Sequence, residues 1–298
     1  MSSVDQKIVP HLWFDKEARQ AAEFYTSIFP HSRIKSTAVL NDTPSGSVET
    51  VTFDLFGQAF SAISAGPLFK FNPSISFQVA CETDAEVDAC WARLSEGGQA
   101  LMELGEYPFS QRFGWVQDRY GLSWQVMHMG SRPIRNKIIP MLMFVGEQVG
   151  KAEDAIQFYV SVFPDSHVDE VLRHGAGAEP DKPGTLQQAS FTLAGQAFSA
   201  IDSAYEHGFT FNEAISLMVY CDTQAEIDDY WGKLSAVPEA EQCGWLKDRY
   251  GVSWQIVPTR MDEMMRSSSP EQLARVTEAF LAMKKFDLAQ LEMAYAGR

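Results

Sequence analysis

Two stretches of this chain repeat one another closely. Residues 53–63 read Phe-Asp-Leu-Phe-Gly-Gln-Ala-Phe-Ser-Ala-Ile, and residues 191–201 read Phe-Thr-Leu-Ala-Gly-Gln-Ala-Phe-Ser-Ala-Ile. Each stretch predicts two strands that meet at a glycine turn, Gly57 in the first and Gly195 in the second. A shared pattern of this length indicates that the chain contains a duplicated unit.

The repetition extends in both directions from this stretch. The matched segments are Ile8-Val9-Pro10 with Ile138-Ile139-Pro140, Phe24-Tyr25 with Phe158-Tyr159, Phe29-Pro30 with Phe163-Pro164, and Asp118-Arg119-Tyr120-Gly121 with Asp248-Arg249-Tyr250-Gly251. Each copy ends in Ser-Trp-Gln, at residues 123–125 and 253–255. We therefore predict a first domain over residues 1–130, a second over residues 131–260 and an extension over residues 261–298.

Within a copy, the hydrophobic period changes between that of a strand and that of a helix. Ile8–Phe14 is apolar and contains Pro10, which favours a strand at a sheet edge. Residues 16–29 place Ala21 and Tyr25 on one helical face, and Pro30 ends that helix. Continued along the copy, the pattern gives a strand, a helix and three strands, twice over. We call each such βαβββ segment a module, so the chain contains four.

The last forty residues have a different pattern. Ser269, Pro270 and Gln272 form a helix start with a capping box, and an apolar stripe follows in Leu273, Val276, Phe280 and Met283. A second helix is predicted from Asp287 to Ala296. This helical pair either covers a domain or meets a second copy of the chain in a homodimer, and the sequence leaves both open.

Composition and charge exclude several classes of protein. The 298 residues include 24 Lys plus Arg and 39 Asp plus Glu, so the formal charge is −15. Such an acidic chain repels phosphate backbones, which argues against nucleic acid as a partner. No apolar run reaches the length of a membrane span, and Met-Ser-Ser-Val-Asp at the start is unlike a signal peptide. We therefore expect a cytoplasmic protein without a membrane partner, whose four cysteines are reduced.

The spaced motifs resemble one family in particular. Ile-x-Pro-x-Leu-x-Phe at the start, Phe-Tyr-x-x-x-Phe-Pro after the first helix and Arg-Tyr-Gly-x-Ser-Trp-Gln at the end are similar to the PhnB-like branch of the glyoxalase/bleomycin-resistance/dioxygenase (vicinal-oxygen-chelate) superfamily. This branch is often labelled demethylubiquinone methyltransferase-like. The resemblance covers residues 7–129 and 137–257. It implies an α+β fold of two tandem glyoxalase-like domains, each a pair of βαβββ modules forming a half-open barrel, followed by C-terminal helices.

The resemblance also implies where a divalent metal would bind in metal-dependent relatives. Carried over one by one, the ligand positions fall on Pro10 and Pro140, on Ser74 and Ala214, and on Gln125 and Gln255, with Glu49 or Asp54 as candidates for the fourth. Proline has no donor atom, and a single amide oxygen is a weak ligand. We therefore expect no metal and no other cofactor in either copy. His11 and His128 are left as histidines that would lie near the mouth of the first barrel.

Alternation along the strands selects the candidate binding residues. If Trp124 packs under the helices, Gln125 points into the concavity of its barrel, and Gln255 does the same in the second copy. Aromatic residues are expected to line the same two cavities, because concavities with few polar groups suit flat or apolar molecules. They are Trp13, Phe14, Phe77 and Trp115 in the first copy, and Phe144 and Trp245 in the second.

A methyltransferase would need a glycine-rich turn that leads into a helix. The one similar string, Gly175-Ala176-Gly177-Ala178, leads instead into a run rich in proline and charge, so we interpret it as a loop. Asp118-Arg119-Tyr120-Gly121 and its twin are interpreted as hairpin turns, in which Asp accepts backbone hydrogen bonds.

The sequence therefore favours metal-independent binding of a small apolar or aromatic molecule in a half-barrel cavity. The alternative is a superfamily enzyme with a single active site in the first domain, of dioxygenase, lyase or isomerase type, or the methyltransferase that the family label implies. In a third interpretation the second domain is a structural partner. Neither catalysis nor the identity of a ligand follows from the sequence, which also leaves open whether one domain binds or both.

Overall fold

The computed structural model describes residues 6–298, apart from the side chains of Asp42 and Arg266. In this part, the chain forms 15 strands and seven α-helices. The strands are β1 Ile8–Phe14, β2 Arg33–Thr43, β3 Gly46–Leu55, β4 Gln58–Ser64, β5 Ile75–Cys81, β6 Gln99–Tyr107, β7 Ser110–Gln117, β8 Ser123–His128, β9 Ile138–Phe144, β10 His167–Arg173, β11 Leu186–Leu193, β12 Gln196–Asp202, β13 Ile215–Cys221, β14 Trp245–Lys247 and β15 Ser253–Pro258. The helices are α1 Ala18–Ile28, α2 Asp84–Leu94, α3 Ala152–Val162, α4 Gln224–Leu234, α5 Thr259–Ser267, α6 Pro270–Leu281 and α7 Leu288–Ala296.

The chain divides into two units. Unit 1 contains residues 6–27, 31–70 and 212–298, and unit 2 contains residues 28–30 and 71–211. Unit 1 is built on a seven-stranded sheet in the order β14-β15-β13-β1-β4-β3-β2. Unit 2 is built on an eight-stranded sheet in the order β10-β11-β12-β9-β5-β8-β7-β6. The fold is therefore the mixed α+β class predicted from the sequence, with two sheets.

The pairing of modules is a finding that the sequence did not predict. In unit 1, β1 from the first copy pairs antiparallel with β13 from the second, with Pro10 opposite Leu217. In unit 2, β5 from the first copy pairs antiparallel with β9 from the second. Each sheet thus joins one module from each copy, whereas we expected modules of the same copy to pair. All four modules present similar open edges, and periodicity within a strand does not encode which edge it pairs with.

The expectation that β1 lies at a sheet edge is wrong. This strand is central, between β13 and β4. Its parallel pairing with β4 begins at His11, opposite Ser61, so Pro10 has a registered partner on β13 but none on β4. Because the pairing with β4 starts one residue after Pro10, the missing N–H of this proline removes no hydrogen bond to β4. This is how a proline is tolerated in the middle of the sheet.

The Asp-Arg-Tyr-Gly turns have the structural role predicted for them. Oδ1 of Asp248 accepts hydrogen bonds from the N–H groups of Tyr250, at 2.8 Å, and Val252, at 3.0 Å. Oδ2 accepts from Nε1 of the buried Trp254 at 2.8 Å. Asp118 makes the equivalent three bonds in unit 2. One carboxylate therefore fixes both the hairpin and the orientation of the tryptophan that follows it.

The C-terminal helices pack on the sheet of unit 1. Helix α6 begins with the predicted capping box of Ser269 and Gln272, and Asp287 caps α7. Helix α5 was not predicted. Apolar side chains of the three helices share one hydrophobic cluster with side chains of the sheet. The members from the helices and from the segment before α7 are Met261, Met264, Val276, Phe280, Phe286 and Leu291, and those from the sheet include Val9, Val48, Met218, Tyr220 and Val257. Within unit 1 the extension therefore covers the sheet, while the possibility of a homodimer stays a prediction.

Two expectations about location have different outcomes. No helix in the described part of the chain is both long and apolar enough to span a bilayer. The stretch Met-Ser-Ser-Val-Asp, on which the expectation about a signal peptide was based, lies outside the described residues. A cytoplasmic location stays a prediction.

Candidate functional site

A cavity of about 910 Å³ lies in unit 1. Its walls come from β1 to β4, from β13 to β15 and from the C-terminal helices, which contribute Met261, Met265 and Phe280. Both copies of the repeat therefore build this cavity, and the extension completes it. Its size is within the usual range for sites that bind small molecules.

The alternation of β1 decides which of its residues reach the cavity. Val9, His11 and Trp13 line it, while Pro10 and Leu12 are buried on the opposite face. The position to which the family resemblance assigned a first metal ligand, Pro10, thus faces away from the cavity, and its neighbour His11 faces the cavity instead. Phe14, which we expected in the cavity, follows the alternation to the other face as well.

His11 is a buried polar group in an apolar wall. Its side chain is only 6% exposed, and its Nδ1 atom has no hydrogen-bond partner in the described part of the structure. The imidazole meets the indole of Trp245 edge-on, with ring centroids 5.4 Å apart. Burial lowers the pKa of His11 to about 3. The imidazole is therefore neutral near pH 7, so that one ring nitrogen donates a hydrogen bond and the other accepts one.

Two tryptophans that the sequence assigned to separate cavities lie together in this one. The indole rings of Trp13 and Trp245 are 6.1 Å apart between centroids and nearly perpendicular, at 75°. Trp13 also meets Phe69 edge-on at 5.1 Å, and its Nε1 donates to the carbonyl oxygen of Gly66 at 2.8 Å. That hydrogen bond holds the indole in place, so the position of this part of the aromatic wall is fixed.

Gln255 lies on β15 and lines the same cavity. Its side chain is 6% exposed, and its Nε2 atom donates to Oγ of Ser216 at 2.9 Å. The predicted alternation with Trp254 is observed, because Trp254 is fully buried on the other face. Gln255 therefore adds an amide to a cavity wall that is otherwise mainly aromatic and aliphatic.

The far wall of the cavity is polar, and the sequence analysis largely missed it. Lys35 on β2 and Asp54 on β3 form an ion pair, with Nζ and Oδ1 2.9 Å apart. Next to them, the hydroxyl groups of Ser36 and Thr52 are hydrogen-bonded at 2.7 Å. A difference between the copies could have indicated this wall, because Asp54 corresponds to Thr192 in the second copy.

The other predicted site residues belong to unit 2 and are not among the residues that line this cavity. Gln125 is a satisfied core amide, which donates to Oγ of Ser76 at 2.9 Å and accepts from Nε2 of Gln78 at 3.2 Å. Phe77 is fully buried against Trp124, with centroids 5.5 Å apart. Trp115 donates from Nε1 to Oγ of Ser123 at 2.7 Å. A binding role for Gln125, Phe77 and Trp115 stays a prediction.

Two further aromatic or histidine candidates also belong to unit 2. Phe144 is buried and meets Phe211 edge-on at 5.1 Å. His128 is on β8, where its Nδ1 atom lies 2.7 Å from Oδ1 of Asp84. Of the two histidines singled out in the sequence, only His11 lines the cavity of unit 1.

The residues of unit 1 do not fit the divalent metal that the superfamily resemblance implies. The sheet brings together Pro10 and Ala214, which have no donor side chain, with Gln255 and Asp54. The carboxylate of Asp54 is already paired with Lys35. Among the side chains that the structure describes, no cluster of three or more His, Cys, Asp or Glu is placed to hold a metal ion. Such a donor set falls short of the three or four ligands of a stable site.

The residues do not fit a nucleotide-type methyl donor at the glycine-rich string either. Gly175-Ala176-Gly177-Ala178 lies in the loop between β10 and β11, and no helix follows it before β11. In the glycine-rich turn of nucleotide-binding folds, the glycines lead directly from a strand into a helix, and this string does not. The loop interpretation made from the sequence thus agrees with the structure.

Comparisons with known proteins give a consistent result. The family model described as 3-demethylubiquinone-9 3-methyltransferase matches residues 6–127 and again residues 136–257. A solved structure described as a putative 3-demethylubiquinone-9 3-methyltransferase, PhnB protein, from Bacillus cereus is 40% identical over 41% of this chain and 99% of its own, with a TM-score of 0.39. No curated protein matches the chain.

Two solved structures match most of the chain. Glyoxalase I from Zea mays is 12% identical, covers 87% of this chain and 98% of its own, and has a TM-score of 0.54. A putative dioxygenase from Bacillus subtilis is 12% identical, covers 87% of this chain and 89% of its own, and has a TM-score of 0.51. At this identity the two matches show the glyoxalase-like fold, and the fold alone.

Proposed function

The chain belongs to the 3-demethylubiquinone-9 3-methyltransferase family, and from that premise we propose that unit 1 of this member binds a small apolar or aromatic molecule in its cavity without a metal ion. The observation that carries the proposal is the wall formed by Trp13, Trp245 and Phe69 around one buried imidazole. Large apolar cavities with a few oriented polar groups are the usual form of a small-molecule site.

The differences between the two units support binding in unit 1. At the position of His11, the second copy has Met141, which is 2% exposed, and at the position of Trp13 it has Met143, which is 1% exposed. The Sδ atom of Met141 lies 3.3 Å from Nε2 of Gln125. Flexible methionine side chains fill gaps in cores, so these positions in unit 2 serve packing.

The family description names a methyltransferase, and an enzyme with its single site in unit 1 is the alternative to a binding protein. His11 is the observation that favours this alternative, because it is a histidine that faces the cavity, and histidine is the side chain that most often transfers protons in enzymes. Native mass spectrometry of protein purified without chelator tests whether the chain binds a metal ion. A bare mass or an organic adduct supports the proposal, and a stoichiometric transition-metal adduct overturns the metal-independent part of it.

Binding can be tested with a neutral aromatic probe, N-phenyl-1-naphthylamine, whose fluorescence increases in apolar sites. We expect the wild-type chain to bind it at one site, and Ile63→Trp to abolish binding, because Ile63 lines the cavity and the larger ring would fill it. The matched control is Ile201→Trp, at the same position of the second copy and in unit 2. Equal loss of binding in both variants would contradict the assignment to unit 1.

The two glutamines provide a second comparison. Gln255→Ala is expected to weaken binding of the probe about fivefold, because the loss of one hydrogen bond usually changes an affinity by about this factor. Gln125→Ala is expected to leave the affinity unchanged and to lower the free energy of unfolding by about 1–3 kcal/mol, because it leaves buried partners unsatisfied. Fluorescence titration and urea unfolding measure the two effects. An affinity that falls only in Gln125→Ala would place the site in unit 2.

A further inference from the structure

We propose that the cavity of unit 1 selects an uncharged molecule that bears a hydroxyl group, and that the imidazole of His11 forms the hydrogen bond to this hydroxyl. The inference rests on the proposed function, since it requires that the cavity bind a ligand. It adds the charge of that ligand and the polar group by which the cavity recognises it.

The first observation is the unsatisfied state of His11. A buried polar atom without a partner costs free energy, and Nδ1 of His11 is such an atom in the described structure. The ring lies on a central strand, edge-on to the indole of Trp245, and faces the cavity. A neutral imidazole both donates and accepts hydrogen bonds, and a hydroxyl group does the same. A hydroxyl on an aromatic ligand would therefore match both the wall and its polar group.

The second observation concerns the charges around the cavity. Among the lining residues that the structure describes, Lys35 is the single Lys or Arg. Its ammonium group is paired with Asp54 at 2.9 Å, and the guanidinium of Arg33 lies 4.0 Å from the same carboxylate. The positive charge in the cavity is thus already compensated by a side chain that is 7% exposed. An anionic ligand in the cavity would have to compete with Asp54 for Lys35, the one Lys or Arg among the described lining residues.

The other Asp and Glu side chains among the described lining residues add negative charge to the cavity. Glu213, Glu239 and Asp262 line it together with Asp54. Glu213 is paired with Lys247 at 2.7 Å, and the hydroxyl of Tyr220 lies 3.3 Å from Asp262. An anionic ligand would have to give up its hydration in a cavity whose carboxylates outnumber its one cation, which is unfavourable. The charges therefore select against carboxylates and phosphates.

Three probes with the same ring system test the inference at pH 7. They are naphthalene, 1-naphthol, which is uncharged, and 1-naphthoate, which is an anion. Each is measured by its competition with N-phenyl-1-naphthylamine. We expect 1-naphthol to bind about fivefold or more tightly than naphthalene, because of one hydrogen bond. We expect 1-naphthoate to bind about tenfold or more weakly than 1-naphthol.

Variants at position 11 test the role of the imidazole. His11→Phe keeps a flat ring without polar atoms, and we expect it to remove the preference for 1-naphthol over naphthalene while naphthalene still binds. His11→Gln keeps a neutral donor and acceptor, so we expect it to retain part of the preference. Thermal unfolding confirms that each variant is folded. A preference for 1-naphthol that is unchanged in both variants would exclude His11 as the partner.

A variant at position 54 tests whether the carboxylate of Asp54 keeps anions from binding in the cavity. Asp54→Asn removes the carboxylate that compensates Lys35. We expect the affinity for 1-naphthoate to increase about tenfold and the affinity for 1-naphthol to change less than threefold. If 1-naphthoate already binds the wild-type chain as tightly as 1-naphthol, the inference is wrong while the proposed function stands. If none of the four aromatic compounds binds, the proposed function itself is wrong.

Discussion

Asp248→Ala is expected to lower the free energy of unfolding by more than about 3 kcal/mol. The carboxylate is 1% exposed and accepts from two backbone N–H groups and from the indole of Trp254. Its removal takes three buried hydrogen bonds to a charged acceptor from the fold, each with a contribution of about 1–3 kcal/mol. Urea denaturation followed by tryptophan fluorescence measures the change.

The control for this experiment is the neighbouring residue of the same turn. Arg249 is exposed and its guanidinium lies over the ring of Tyr250, so Arg249→Ala is expected to change the free energy of unfolding by less than about 1 kcal/mol. Asp118→Ala should be as damaging as Asp248→Ala, because the three bonds recur in unit 2. A loss below about 1 kcal/mol in both aspartate variants would show that the turns do not depend on the carboxylate.

Gly244→Ala is expected to lower the free energy of unfolding by about 2–4 kcal/mol and to detach the C-terminal helices from unit 1. Gly244 has a φ of +82°, and an added Cβ would lie 2.5 Å from Cε2 of Phe286. The same segment is held by the N–H of Gly244, which donates to the carbonyl oxygen of Lys284 at 2.7 Å. Limited proteolysis should therefore cleave the variant after α5 sooner than the wild-type chain.

Gly232 in α4 provides the matched control. An added Cβ there meets no atom within 4 Å, so Gly232→Ala is expected to stabilise the helix by about 0.5–1 kcal/mol. Because Phe280 and Phe286 line the cavity, Gly244→Ala should also weaken binding of N-phenyl-1-naphthylamine. Undiminished probe binding by a variant whose helices are cleaved off would show that the extension is not part of the site.

Local patterns in the sequence predicted much of the fold. The bounds of β1 agree with the periodicity, and the capping box of α6 was readable because it depends on residues a few positions apart. The alternation between Trp254 and Gln255 likewise placed Gln255 on the face opposite the buried core. Signals of this kind are local, and a single sequence contains them.

The partners of the modules were not predictable in the same way. Trp13 and Trp245 were expected in different cavities, but their ring centroids lie 6.1 Å apart because β1 pairs with β13. Four modules with one pattern offer several pairings of comparable quality, so the choice depends on contacts between distant residues. Gln125 and Gln255 have equivalent positions in the two copies of the sequence. For the same reason, the sequence did not show that their surroundings in the fold differ.

The pairing of β1 with β13 also determines the order in which the chain can fold during its synthesis. Nearly all of unit 2 is one continuous segment, residues 71–211, whereas β1 pairs with a strand that starts only at residue 215. At ~5–20 residues per second, a ribosome needs roughly 10–40 s to make the intervening ~200 residues. We expect the first module to wait with an unpaired, apolar edge until the last part of the chain emerges, which makes it the segment that chaperones would protect.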